Sequence, residues 1–207
     1  SKIEFDFSYF IKFFDSSYNI RLVYISFIQA FLSAILSCTI GVLFSLCLYR
    51  HKDLIISKII ISLCGYSFIL PSILIVFSVI GIFGINGFVN NYTNIYQILN
   101  IRSLFGLKGI ILGHVLLNAP FATRLFFQNL NSISKNYVDL SKSLSLGFWS
   151  HIIKIECSIL KQNLLSIFSI IFILCFLSFA IVMSLGSGPS TSTMEVAIYQ
   201  LALFDLN

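Results

Sequence analysis

Charge is what this sequence has least of. Only 10% of its 207 residues are Asp, Glu, Lys or Arg, where a soluble domain carries about a quarter. With 57% hydrophobic residues and a strongly positive mean hydropathy, the chain is excluded from the ordinary water-soluble class and belongs in a bilayer. Acidic residues are the scarcer kind, 8 against 13 Lys plus Arg. None stands in the apolar core of a long hydrophobic run, because Asp53, Asp139, Glu156 and Glu195 fall in loops or at segment ends. That absence removes the carboxylate relay of a proton-coupled carrier and the dyad of an intramembrane aspartyl protease. A GxSxG nucleophile signature is missing, and so is a GxxxxGK[ST] phosphate cradle, so neither acyl chemistry nor ATP binding is expected of the chain itself. The histidines His51, His114 and His151 are far apart and form no HExxH. The five cysteines, at 38, 47, 64, 157 and 175, form no CxxC pair, and four lie in apolar runs where a thiol packs as a small hydrophobe. No catalytic residue, metal site or cofactor is expected. The basic residues are dispersed along the chain, which leaves no nucleic-acid footprint.

What remains is four long apolar runs, Leu22 to Tyr49, Ile55 to Phe83, Leu104 to Phe127 and Leu164 to Leu185. Each reaches the roughly 18 to 20 residues a helix needs to cross the hydrocarbon layer. The predicted fold is all-α, a polytopic membrane helix bundle of four full spans. A fifth begins in the tail, where Gly186, Gly188 and Pro189 mark a turn and Ser192 with Glu195 three residues on reads as a capping box. The first residue is Ser1 and the chain ends inside the fifth helix, so the sequence reads as a piece of a longer one. Basic residues set the orientation. Arg50, Lys52 and Lys58 follow the first run, Arg124, Lys135, Lys142, Lys154 and Lys161 follow the third, and residues 186–207 have none. By the positive-inside rule those two loops are cytoplasmic. Residues 1–21 then form an extracytoplasmic amphipathic segment and 22–207 the membrane domain.

Two features within the domain point to function. Pro71 and Pro120 interrupt the second and third runs, and the third adds Gly109 and Gly113 at GxxxG spacing with His114 and Asn118 one turn apart. His114, Asn118 and Pro120 are candidates for a translocation path; the alternative is a pair of interhelical hydrogen bonds in a bundle interior. The other feature is the polar, basic stretch over residues 128–161, too long for a turn. Ile133, Tyr137, Leu140 and Leu144 recur at helical spacing, as do Phe148, Ile152, Ile155 and Ile159, giving two amphipathic helices around an elbow at Ser143 to Gly147. The elbow presents Leu144, Leu146, Phe148 and Trp149, an apolar knob suited either to headgroups of membrane lipid or to a groove on a soluble partner.

The segments FILPSILIVFSVIGIFG, GIILGHVLLNAPFATRLFFQNL, DLSKSLSLGFWSHIIKIECS and FLSFAIVMSLGSGPSTSTMEVAIYQ, in that order, resemble the amino-terminal half of the permeases of bacterial thiamine ABC importers. The likeness runs from about Arg21 to the end. The general importer-permease motif, Glu-Ala-Ala, three residues, Gly, nine residues, then Ile-x-Leu-Pro, aligns without gaps on Asp139, Leu140, Ser141, Ser145, Ile155, Cys157 and Ser158. Only Ile155 is retained outright, Asp139 keeps the charge of the glutamate, and Ser145 stands for the elbow glycine. The more specific GHVLLNAPFATRL and SLGSGPSTSTMEVAIYQ favour the thiamine family over relatives that move ferric iron. The resemblance implies a type-1 ABC importer transmembrane domain in the bacterial inner membrane. It makes Asp139, Leu140, Ser141, Leu144, Ser145, Leu146, Gly147, Phe148 and Trp149 the segment that docks on a cytoplasmic ATP-binding subunit. It further implies a periplasmic substrate-binding protein, a second permease domain in the same polypeptide, and thiamine with its phosphates as cargo. A ferric-iron or other small-solute permease, a self-contained channel and a non-transporting anchor are the alternatives.

Overall fold

In the computed structural model, which describes residues 15–84, 86–93, 105–133, 147–188 and 190–204, every described element is helical. The order is α1 Ser17–Arg50, α2 Ile55–Tyr66, α3 Ser72–Phe83, α4 Phe88–Thr93, α5 Leu107–Asn131 and α6 Phe148–His151. A π-helical turn, Ile152–Glu156, joins α6 to α7 Cys157–Phe176, and α8 Ala180–Leu185 and α9 Met194–Phe204 follow. Three stretches are long and apolar enough to cross a membrane unbroken, Ser17–Arg50, Leu107–Asn131 and Ile152–Phe176.

The first helix carries its large apolar side chains outward. On α1, Phe27, Phe31, Ile35, Leu43 and Phe44 are exposed, whereas Ser26, Gln29, Ala30, Ser33, Ala34, Ser37 and Gly41, spaced three and four apart, are buried. This is the arrangement a hydrocarbon solvent demands: lipid meets the bulky face, and small residues let helix backbones come together. Gly41 shows how closely. A Cβ there would lie 2.6 Å from the Ala122 Cβ of α5 and 3.0 Å from the Thr123 nitrogen. Gly41→Val is therefore expected to force α1 and α5 apart and destabilise the bundle by roughly 3 kcal/mol, read as a lowered melting temperature of the detergent-purified protein. An unchanged melt would mean that the two helices are not held at this distance. Gly113 does the same on the opposite side of α5, where a Cβ would meet Ile181 and Leu185 of α8 at 3.0 and 3.1 Å.

Two of the four predicted runs are broken, for different reasons. The run from Ile55 to Phe83 is not one kinked helix: α2 ends at Tyr66, and α3 begins after Pro71. Proline disfavours helical geometry in the residue before it, and the amides of Ile69 and Leu70 both turn back to the Tyr66 carbonyl. Pro120, by contrast, sits inside α5, which continues to Asn131. The run from Leu164 to Leu185 also stops, at Phe176, and restarts at Ala180 with no proline or glycine between. This helix starts earlier than predicted, so the second amphipathic arm of the inserted stretch, from Ile152 onward, forms one continuous rod with the fourth span. Likewise the end of α5 takes in residues assigned to the loop, among them Arg124. Residues 15–21 run into α1 without a boundary at 22; residues 1–14 lie outside the described set.

The ends of the bundle are tied by polar contacts. At one end Gly106, with φ +99 that only glycine holds without strain, donates its N–H to the Leu185 carbonyl at 2.7 Å. The predicted capping box of α9 does not form, because the Ser192 hydroxyl turns to the Gly188 carbonyl at 3.3 Å. The first amide of that helix, Met194 N–H, is instead accepted at 2.9 Å by the Ser26 hydroxyl of α1. At the other end Arg50 meets Glu156.

Candidate functional site

The break between α2 and α3, the break between α7 and α8, and the polar turn of α5 meet around one cavity of about 360 Å³. Ser67, Phe68 and Ser72 line it from the first break, Ser178 and Phe179 from the second, and His114, Asn118 and Phe121 from α5. Discontinuous helices with irregular backbone at membrane depth are tolerated where they line a cavity or are enclosed by protein. The first condition holds here, with Phe68, Ile69 and Leu70 of the first break and Leu177 of the second exposed.

The two polar wall residues of α5 have identifiable contacts. His114 is fully buried, with Nδ1 3.4 Å from the Ser33 hydroxyl of α1. Its Nε2 has no hydrogen-bond partner among the described residues. Asn118 donates through Nδ2 to the Cys175 sulfur at 3.3 Å. The carbonyl of the same Cys175, one residue before α7 stops, accepts from Gln29 Nε2 at 3.0 Å. Gln29 thereby adds from α1 a side-chain donor to a carbonyl at the α7 end, which the backbone amides of Leu177 and Ser178 also reach. Phe68 and Phe121 stack across the α2–α5 seam, ring centroids 5.1 Å apart. Pro120 is partly buried two residues beyond Asn118, and having no N–H it leaves the Leu116 carbonyl without its usual helical donor.

His114 and Asn118 thus share one cavity wall and also make the interhelical bonds weighed as the alternative. Residues 134–146, which hold Asp139, Leu140, Ser141, Leu144, Ser145 and Leu146, lie outside the described residues. Gly147 is exposed, and a Cβ on it would meet open space. Phe148 and Trp149 open α6. Behind α6 the chain passes through the π turn to Glu156, which is buried; its Oε2 lies 3.0 Å from Arg50 Nη2, and its Oε1 lies 3.9 Å from His151 Nε2. Sequence reasoning missed Gln29, Glu156 and the Phe68–Phe121 pair. An amide in the middle of an apolar run was signal enough for the first; the other two required the tertiary arrangement.

No family model matches the chain. Curated relatives do. The thiamine transport system permease protein ThiP of Haemophilus influenzae is 36% identical over 194 residues, which cover 94% of this chain and 36% of the relative. That of Escherichia coli is 35% identical over 190 residues, 91% of this chain and 35% of the relative. By sequence this chain is a homologue of the thiamine transport system permease proteins. It spans about a third of the length of those thiamine permeases. A probable transport system permease protein, NifC of Clostridium pasteurianum, is 23% identical over 148 residues, 72% of this chain and 51% of the relative. Homology to these permeases accords with the all-helical bundle, and the chain is a multi-pass membrane protein.

Proposed function

We propose that this chain is the transmembrane part of an ATP-driven thiamine importer of the bacterial inner membrane. The observation that carries the reading is the convergence of two helix breaks on one cavity, in a homologue of thiamine transport permeases. Thiamine bears a fixed positive charge on its thiazolium ring. The cavity wall has no carboxylate among the described residues, and Phe68, Phe121 and Phe179 line it; aromatic faces attract such a cation by about 0.5 to 2 kcal/mol. Weak attraction suits a path, because a cargo that binds tightly does not leave. His114 and Asn118 add neutral hydrogen-bonding groups, and Pro120 gives α5 a point of flexure.

The driving force comes from a partner. A cytoplasmic ATP-binding subunit docks on Asp139 to Trp149, and its closure tilts the rod formed by α6, the π turn and α7. A periplasmic substrate-binding protein delivers cargo, and a second permease domain of the same polypeptide completes the path, in keeping with the one-third coverage of the relatives. Orientation follows from Arg50, Lys52, Lys58, Lys154 and Lys161 gathering at the Arg50–Glu156 end, which faces the cytoplasm. The full-length protein, reconstituted in vesicles with its ATP-binding subunit and binding protein, is expected to take up labelled thiamine only when ATP is supplied, and to leave a labelled ferric complex outside. Uptake of the ferric complex instead would reassign the cargo, and ion conductance by the permease alone would make it a channel.

A further inference from the structure

Arg124 lies well inside α5, about 10 Å of helix short of its end at Asn131. It lies beyond the cavity lining toward the Asn131 end of α5, one step past Phe121 in the series His114, Asn118, Phe121 and Arg124, spaced four, three and three apart. Across the seam stands Gly65 of α2, and a Cβ there would occupy the place of the Arg124 guanidinium. Gly65 and Arg124 therefore form the next rung beyond the stacked Phe68 and Phe121. Arg124 is only partly buried, and its guanidinium has no ion-pair or hydrogen-bond partner among the described residues.

An arginine at membrane depth is costly unless something anionic or water-filled receives it. A planar guanidinium with several donors matches a phosphate group in two-point geometry better than any other side chain. We infer that Arg124 is a phosphate-receiving step on the translocation seam, taking the phosphate of a phosphorylated cargo while the aromatic pair holds its ring. This rests on the importer reading above and adds to it a residue that sets which cargo passes. Unphosphorylated thiamine offers Arg124 nothing but like charge, so the residue does not assist it. The same chemistry would be met by a lipid headgroup phosphate, and the two sources differ in what they predict for cargo.

The test uses the full-length permease reconstituted with its ATP-binding subunit and binding protein, and compares ATP-dependent uptake of labelled thiamine with that of labelled thiamine pyrophosphate. Arg124→Gln is expected to lower pyrophosphate uptake about tenfold while thiamine uptake stays within about twofold. Arg124→Lys, which keeps a charge without the fork, should fall between. Gly65→Val, which displaces the guanidinium but retains it, should reproduce the selective loss, and it serves as the reading if Arg124→Gln does not fold. Equal loss of both cargoes would mark a lipid anchor or a structural role and overturn the inference, as would an unchanged uptake ratio in either variant. A wild-type protein that moves thiamine but not its pyrophosphate would sink the inference alone. One that moves neither would sink the importer reading beneath it.

Discussion

Replacing Leu144, Leu146 and Trp149 together with charged residues is expected to release the ATP-binding subunit and take ATP-dependent thiamine uptake to background. The proposal sets these apolar side chains in a groove on that subunit. A tryptophan at the centre of such a contact is the kind of residue whose loss costs most. Three charges left without partners in an apolar groove add a desolvation penalty of several kcal/mol, so the affinity should fall on the order of a thousandfold or more. Co-purification of the subunit on the tagged permease reads the docking, and vesicle uptake reads the transport. The permease should still reach the membrane with a wild-type melting temperature, because the elbow packs on the partner in this reading. Retained co-purification would refute the docking role; loss of transport with docking intact would move the role of these residues to the transmission step.

The second large effect is expected at the other side of the same elbow. Glu156 is buried among helix ends, with only 4% of its side chain exposed, and Arg50 of α1 meets it at 3.0 Å. Removing one partner of a buried pair leaves an uncompensated charge, a loss of 3 to 5 kcal/mol where both are fully enclosed. Arg50 is 32% exposed and His151 stands 3.9 Å from the other carboxylate oxygen, so Arg50→Ala should cost about 2 to 3 kcal/mol, a little under that range. Glu156→Gln removes the charge and keeps an oxygen that can accept from Arg50, so it should cost nearer 1 kcal/mol. The exchange Arg50→Glu with Glu156→Arg should recover part of the loss, and the cycle of single and double variants isolates the pair. Melting of the detergent-purified protein is the measurement, and a coupling smaller than about 0.5 kcal/mol would show the pair to be idle.

Residue type alone made some of this legible. Proline at 71 marks an interruption because its ring acts on the backbone locally, and glycine at 113 marks close packing because nothing else is small enough. His114 and Asn118 stand out as polar groups in an apolar run, and they do reach one cavity wall. The break after Phe176 has no such local cause. There Gln29, distant in sequence, presents an amide to the Cys175 carbonyl, a contact of which periodicity carries no trace. Arg124 was assigned to a loop because charge is ordinarily a sign of water; a glycine on the neighbouring helix makes room for it inside the span. Glu156 was read as a segment end for the same reason, while Arg50, more than a hundred positions earlier, lets it be buried. Burial of a charge is decided by its partner, and the partner is a tertiary fact.

The cap on α9 has a consequence for biogenesis. Its first amide is accepted by a hydroxyl from α1, and the ribosome makes that hydroxyl long before the amide that needs it. That helix therefore folds with its anchor already in place, and a Ser26→Val chain should insert α1 normally yet gain protease resistance around α9 slowly.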